Sequence, residues 1–213
     1  MELAELKALW QTYDDKLQKS LQLNVKVVEQ LGIQKVTSSF GAVIRFKIIA
    51  VVLGILWNIL LGSLIFTFPG EPVLVISLAA IMLVNTIVIA GYIYQLVIIQ
   101  QINFQEPVIE TQRKLAVLQA SFIRITRIAF LQTPFYATFF ISKHLLQKGG
   151  IAFWIIEPVV LALLILITIW LYRNISFKNI NRPLVKMVIE NEGGKAIAKA
   201  TAFIREIEAY KNS

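Results

Sequence analysis

From Pro72 to Gln105 the chain carries no charged residue. The run PVLVISLAAIMLVNTIVIAGYIYQLVIIQQINFQ is bounded by Glu71 before it and Glu106 after it. The hydrocarbon core of a bilayer is about 30 Å thick, and roughly 20 helical residues cross it. This stretch is long enough to cross and then continue into water on the far side. A core helix of a water-soluble domain is rarely so long and so uniformly apolar, because part of it must face solvent. Composition agrees: 57% of the 213 residues are hydrophobic and 16% are charged, with a mean hydropathy of +0.68. That is the balance of a membrane protein.

The same composition removes several kinds of chemistry. There is no cysteine, so a disulfide framework, a thiol nucleophile and a cysteine metal site are excluded. A single histidine, His144, rules out a histidine metal cluster within one chain. The net charge of +8 is accounted for by basic residues that flank spans and meet anionic headgroups, and no direct nucleic-acid binding is expected. Residues 1–47 are polar and mixed in charge. They lack the basic, apolar and small-residue regions of a cleaved signal peptide, so the first span reads as an uncleaved anchor.

Residues 2–31 read as one amphipathic helix. In heptad terms Leu3, Trp10, Leu17, Asn24 and Leu31 share one seam position, and Leu6, Tyr13, Ser20 and Val27 share the other. A polar residue such as Asn24 in a seam sets register and strand number. Two readings stand. One is a coiled coil formed with a partner or a second copy, with Leu3, Leu6, Trp10, Tyr13 and Leu17 as the binding face. The other is a helix that docks on the chain's own helices. Residues 32–42 (GIQKVTSSFGA) break the pattern and read as a flexible connector.

Span one is expected from Ile48 to Phe68 and ends at Pro69-Gly70-Glu71-Pro72. Proline stops a helix, and Pro72 suits the first turn of the next one. Spans one and two therefore form an antiparallel hairpin. Asn58 and Asn85 fall near the middle of their spans, where an amide needs a partner, and the two are expected to hydrogen-bond. Span two gives way near Asn103–Pro107 to a helical hairpin over about 96–127. The stripe on its second helix, Val108, Leu115, Leu118, Phe122 and Ile125, is placed to receive the N-terminal helix. Span three occupies Ile128–Ser142 with a kink at Pro134, followed by Lys143, His144 and Lys148 and a Gly149-Gly150 turn. Span four runs from Ile151 to Tyr172, with Trp154 at one end and Trp170 and Tyr172 at the other, as in an aromatic belt. In the tail, Pro183–Glu190 reads as a short helix. Lys195–Tyr210 reads as another, with Ile197, Ala200, Phe203, Ile204 and Ile207 on one face.

The fold class is therefore all-α: four transmembrane helices over a cytoplasmic helical layer. The divisions are 1–42, a membrane domain over 43–173 and a tail over 174–213. Lys and Arg number seven in the N-terminal segment, four in the central hairpin and eight in the tail, against none and two in the short loops. By the positive-inside rule this puts both termini and the central hairpin in the cytoplasm.

Few residues suggest chemistry. Glu157 is the one acid within a span, and intramembrane acids default to functional hypotheses. With Asn58 and Asn85 it makes a candidate polar path for a small transporter or channel subunit. The competing account is that Glu157-Pro158 marks where the regular helix begins, as Glu71-Pro72 and Glu106-Pro107 do, with Glu157 near headgroup depth beside Lys148, Lys143 or His144. Arg45, Lys47, Arg124, Arg127, Arg173 and Lys178 make a candidate collar for anionic lipid. No phosphate loop, zinc motif or nucleophile-base set is visible, so neither enzymatic activity nor a cofactor is expected.

The opening MELAELKALWQTYDDKLQKSLQLN and the closing NINRPLVKMVIENEGGKAIAKATAFIREIEAY resemble a family of uncharacterised bacterial multi-span membrane proteins. Their genes often lie beside one for an extracytoplasmic-function sigma factor. The resemblance implies a regulatory role, with the sigma factor as a cytoplasmic partner, and transfers no catalytic residue. The reading that results is a regulatory or scaffold membrane protein whose helical module binds a protein partner or itself.

Overall fold

The computed structural model describes residues 3–104, 106–176, 179, 183–189 and 193–211. Every regular element among them is a helix: α1 (Leu3–Thr67), α2 (Pro72–Gln100), α3 (Val108–Phe130), α4 (Thr133–Thr138), α5 (Lys143–Lys148), α6 (Ile151–Asn174), α7 (Pro183–Ile189) and α8 (Lys195–Lys211). Four segments are long and apolar enough to cross a membrane: Gln30–Thr67, Pro72–Gln100, Val108–Thr138 and Phe153–Asn174.

The first difference from expectation is α1, which is unbroken for 65 residues, about 97 Å. The connector expected at 32–42 is helix. Gly and Ser weaken an isolated helix by up to about 1 kcal/mol per residue, but here tertiary cover outweighs propensity. Val36 and Phe40 are buried in a cluster with Leu118 and Phe122 of α3 and Ala200 and Ile204 of α8. Gly32 has a packing role, since a Cβ there would collide with the Phe203 ring. The Ser39 hydroxyl turns back onto the Lys35 carbonyl at 3.0 Å.

That cluster also corrects the expected docking of the N-terminal helix. Among the described side chains, the α3 stripe is covered by α8 and by the 33–44 region of α1, and none from residues 3–31 joins that cluster. The α8 face predicted from its spacing is the face that docks: Ile197, Ala200, Phe203 and Ile204 are buried. Gly193 leads into α8 with φ of 115°, in the left-handed region, and a Cβ there would strike Phe122 and Val43. Glycine meets both demands.

The opposite end of the bundle carries the two short loops. The Glu71 carboxylate accepts the backbone N–H of Lys143, so the α1–α2 turn and the α4–α5 turn lie together. Ser77 and Thr138 share a hydrogen bond of 2.7 Å. Leu61, Leu78 and Ile81 pack with Phe135 and Phe139 just beneath. We call this the turn end, and the other the α8 end. At the α8 end the α2–α3 hairpin is closed by Lys114, whose amine binds the Gln101 carbonyl at 2.7 Å and the Glu106 carboxylate at 2.6 Å.

Span three is not one helix. The chain runs as α3 from Val108 through Phe130, breaks at Leu131–Gln132 and resumes as α4. Pro134 has no N–H to give the Phe130 carbonyl and its ring crowds that group, so the helix cannot pass through unchanged. Span four also differs from one account of Glu157. The helix already begins at Ile151, and Pro158 lies inside it. Glu157-Pro158 is therefore not a helix start.

Candidate functional site

The N-terminal arm, residues 3–31 of α1, carries exposed apolar side chains. Among the described side chains of residues 3–31, Trp10, Tyr13, Leu17, Leu23, Val27 and Leu31 are exposed, Trp10 by 73%. Leu3 and Leu6 occupy the same seam positions of the helix. The arm begins to meet the body at Gly32 and Ile33. Among the described seam residues Trp10, Tyr13, Leu17, Ser20, Val27 and Leu31 are exposed.

The midspan amides meet. Asn85 Nδ2 donates to Asn58 Oδ1 at 2.9 Å and to the Gly54 carbonyl at 3.0 Å. Asn58 Nδ2 donates to Thr86 Oγ1 at 3.1 Å, and Thr86 Oγ1 donates to the Met82 carbonyl at 2.8 Å. The network closes on itself, pins α1 against α2 in one register, and contains no bond to Glu157. Glu157 is half-buried on α6, and its Oε1 is buried with no hydrogen-bond partner. Gln132 Oε1, at the helix break, and Thr168 Oγ1 share that condition. The polar residues proposed as one path therefore lie in two separate places.

Lys47 departs most from expectation. It is fully buried, its ammonium 3.8 Å from the centre of the Tyr92 ring and 5.0 Å from that of Phe122. Gln95 and Ser121 are buried in the same α2–α3 seam and joined by a 3.3 Å hydrogen bond. A desolvated ammonium between two aromatic faces gains about 2 kcal/mol or more from them, and this explains why the side chain turns inward. Lys47 is accordingly not part of a lipid-facing collar. From Lys47 to Thr67 α1 rises about 30 Å, comparable to the thickness of the hydrocarbon core.

The other collar residues divide. Arg45, Arg124 and Arg173 are exposed. Arg127 instead joins α3 to the end of α6, donating from Nε to the Ile175 carbonyl at 2.7 Å with its guanidinium over the Tyr172 ring. Lys178 lies outside the described residues. Among the described residues no group of three metal-ligating side chains comes together.

Comparisons with protein-family models, curated proteins and solved structures give no match.

The Lys47 cage was missed by sequence reasoning, yet it left a trace. Gln95 and Ser121 are polar positions on helix faces that are otherwise apolar, and two such residues on adjacent helices mark a buried polar seam.

Proposed function

We propose that this chain is a regulatory or scaffold protein of a bacterial inner membrane, with both termini and the α8 end in the cytoplasm, whose N-terminal arm docks protein. One observation carries the reading: Trp10, Tyr13, Leu17, Leu23, Val27 and Leu31 of the arm are exposed, while the stripes of α3 and α8 bury each other. Soluble helices do not leave such a face to water without a partner. Because α1 is unbroken, a tilt or rotation imposed on the arm passes into span one. The Asn58–Asn85 network then carries it to α2. The concentration of basic residues at the α8 end supports the orientation. A cytoplasmic regulator of the sigma-factor kind is the partner that the family resemblance implies, and a second copy is the other occupant.

The test compares complexes solubilised from native membranes with the full chain and with a chain lacking residues 3–31. The full chain should run as an assembly larger than one protomer in its detergent micelle, and the shortened chain should lose that excess mass. Equal masses would overturn the reading. The deletion stops at residue 31 because Val36 and Phe40 belong to the core.

A second reading rests on the unpartnered Glu157 Oε1: a small transporter or channel subunit, with its polar groups along α4 and α6. Glu157→Gln should then abolish proton- or cation-dependent flux in proteoliposomes at unchanged expression. Flux equal to that of the parent chain would remove the site.

A further inference from the structure

The open stripe does not end where the arm does. At 100° per residue, Trp10, Tyr13, Leu17 and Leu31 fall within an arc of about 60°. Phe46, Ile49, Leu53 and Leu60, further along the same helix, fall within that same arc. All eight are exposed, Ile49 by 58% and Leu53 by 59%. The residues by which α1 holds the body, Val36, Phe40, Lys47 and Leu61, centre about 120° away around the helix. The chain therefore presents an apolar face along the arm and again along span one, on a side the body does not use, and between Leu31 and Phe46 the same arc carries the exposed Lys35 and Ala42.

We infer that the occupant of this face is a second copy of the chain, paired in parallel along α1. This rests on the docking reading above and names its partner. A soluble protein could cover the arm but not Ile49, Leu53 or Leu60. Another α1 matches both halves, since the same helix crosses the same boundary at the same height. The bilayer fixes the direction of every α1, so a two-fold axis along the membrane normal sets each residue beside its own copy. Within the arm charge opposes self-pairing little, because residues 1–31 hold four Lys against five Asp or Glu, and Lys35, just beyond it in the same arc, is the one like-charge pair the two-fold axis would create there. Asn24 falls in the arm's seam, where a paired asparagine favours one register and a two-stranded state. At the junction Ala42 lies on the face and Ser38 at its edge, both exposed, and such small side chains let two backbones approach closely.

The absence of cysteine makes the test direct. Single cysteines are placed on the face (Tyr13→Cys, Leu17→Cys, Leu53→Cys) and off it (Gln18→Cys, Lys19→Cys). Each chain is oxidised in native membranes with copper phenanthroline and scored on non-reducing gels. Same-residue dimers should form at least fivefold faster at Leu17 and Leu53 than at Gln18 and Lys19. Equal or negligible dimer at all positions overturns the inference. If it does so while the arm-dependent excess mass persists, the arm holds a different protein and the docking reading stands. If the excess mass is also absent, both fail. Dimer confined to Tyr13 and Leu17, with none at Leu53, overturns pairing along the whole of α1.

Discussion

At the scale of single residues, two polar groups within the apolar bundle behave differently because their surroundings differ. Lys47 is held by ring faces from two other helices. Lys47→Ala should leave a void against Tyr92 and Phe122 and lower stability by about 2–5 kcal/mol, as for other large buried side chains. Thermal unfolding in detergent, followed by circular dichroism, measures it, and a midpoint within error of the parent would refute the buried role. The Asn58–Asn85 bond is a matched pair at mid-depth. A double-mutant cycle with Asn58→Leu and Asn85→Leu should show a coupling of about 0.6–2 kcal/mol. Strict additivity would show that the bond contributes orientation without energy. This pair was legible from sequence, because a tight Pro-Gly-Glu-Pro turn sets two antiparallel spans in a register where the amides must meet. The Lys47 cage was not, because Tyr92 and Phe122 lie far along the chain. A lysine just before a span reads most simply as a headgroup contact.

At the scale of elements, helix limits were readable wherever proline or a glycine pair acts locally, as at Pro72 and at Gly149-Gly150. They were not readable where distant packing decides. Residues 32–42 look like a loop by composition, but α3 and α8 hold them helical. In the opposite direction, Pro134 was expected to bend span three, and it separates α4 from α3. Two glycines of the misread segment give opposite predictions. At Gly32 a Cβ runs into the Phe203 ring, which also packs edge-on against Phe104 at 6.2 Å. Gly32→Ala should cost about 1–3 kcal/mol through overpacking and speed amide exchange in α8. Gly41 has open space around it, so Gly41→Ala should be neutral or stabilise by up to about 1 kcal/mol from helix propensity alone. If both substitutions shifted the unfolding midpoint in the same direction, the packing account of this segment would be wrong.

At the scale of the whole molecule, the organising fact is that the two ends of the bundle differ in kind. The turn end is closed by short loops and a contact from Glu71 to the Lys143 backbone. The α8 end gathers four helices, α1, α2, α3 and α8, into a core and extends the arm beyond it. Class and span number followed from hydropathy, since lipid demands long apolar helices whatever their sequence detail. The partner of each amphipathic face did not follow, because hydropathy marks a face as sticky without saying which other face it meets. The α3 stripe was expected to take the N-terminal helix and takes α8. Orientation adds a physical constraint: moving the basic α8 end across the bilayer would transfer many more Lys and Arg than moving the turn end. Gly70 is exposed at the turn end with nothing near it, and Gln18 is exposed on the arm. In an otherwise cysteine-free chain, Gly70→Cys should react with a membrane-impermeant maleimide in cells whose inner membrane is intact. Gln18→Cys should react after that membrane is opened and not before. The opposite pattern would invert the protein in the membrane and place the arm's partner outside the cytoplasm. Labelling at both sites in intact cells would mean that the apolar helices do not separate the two ends.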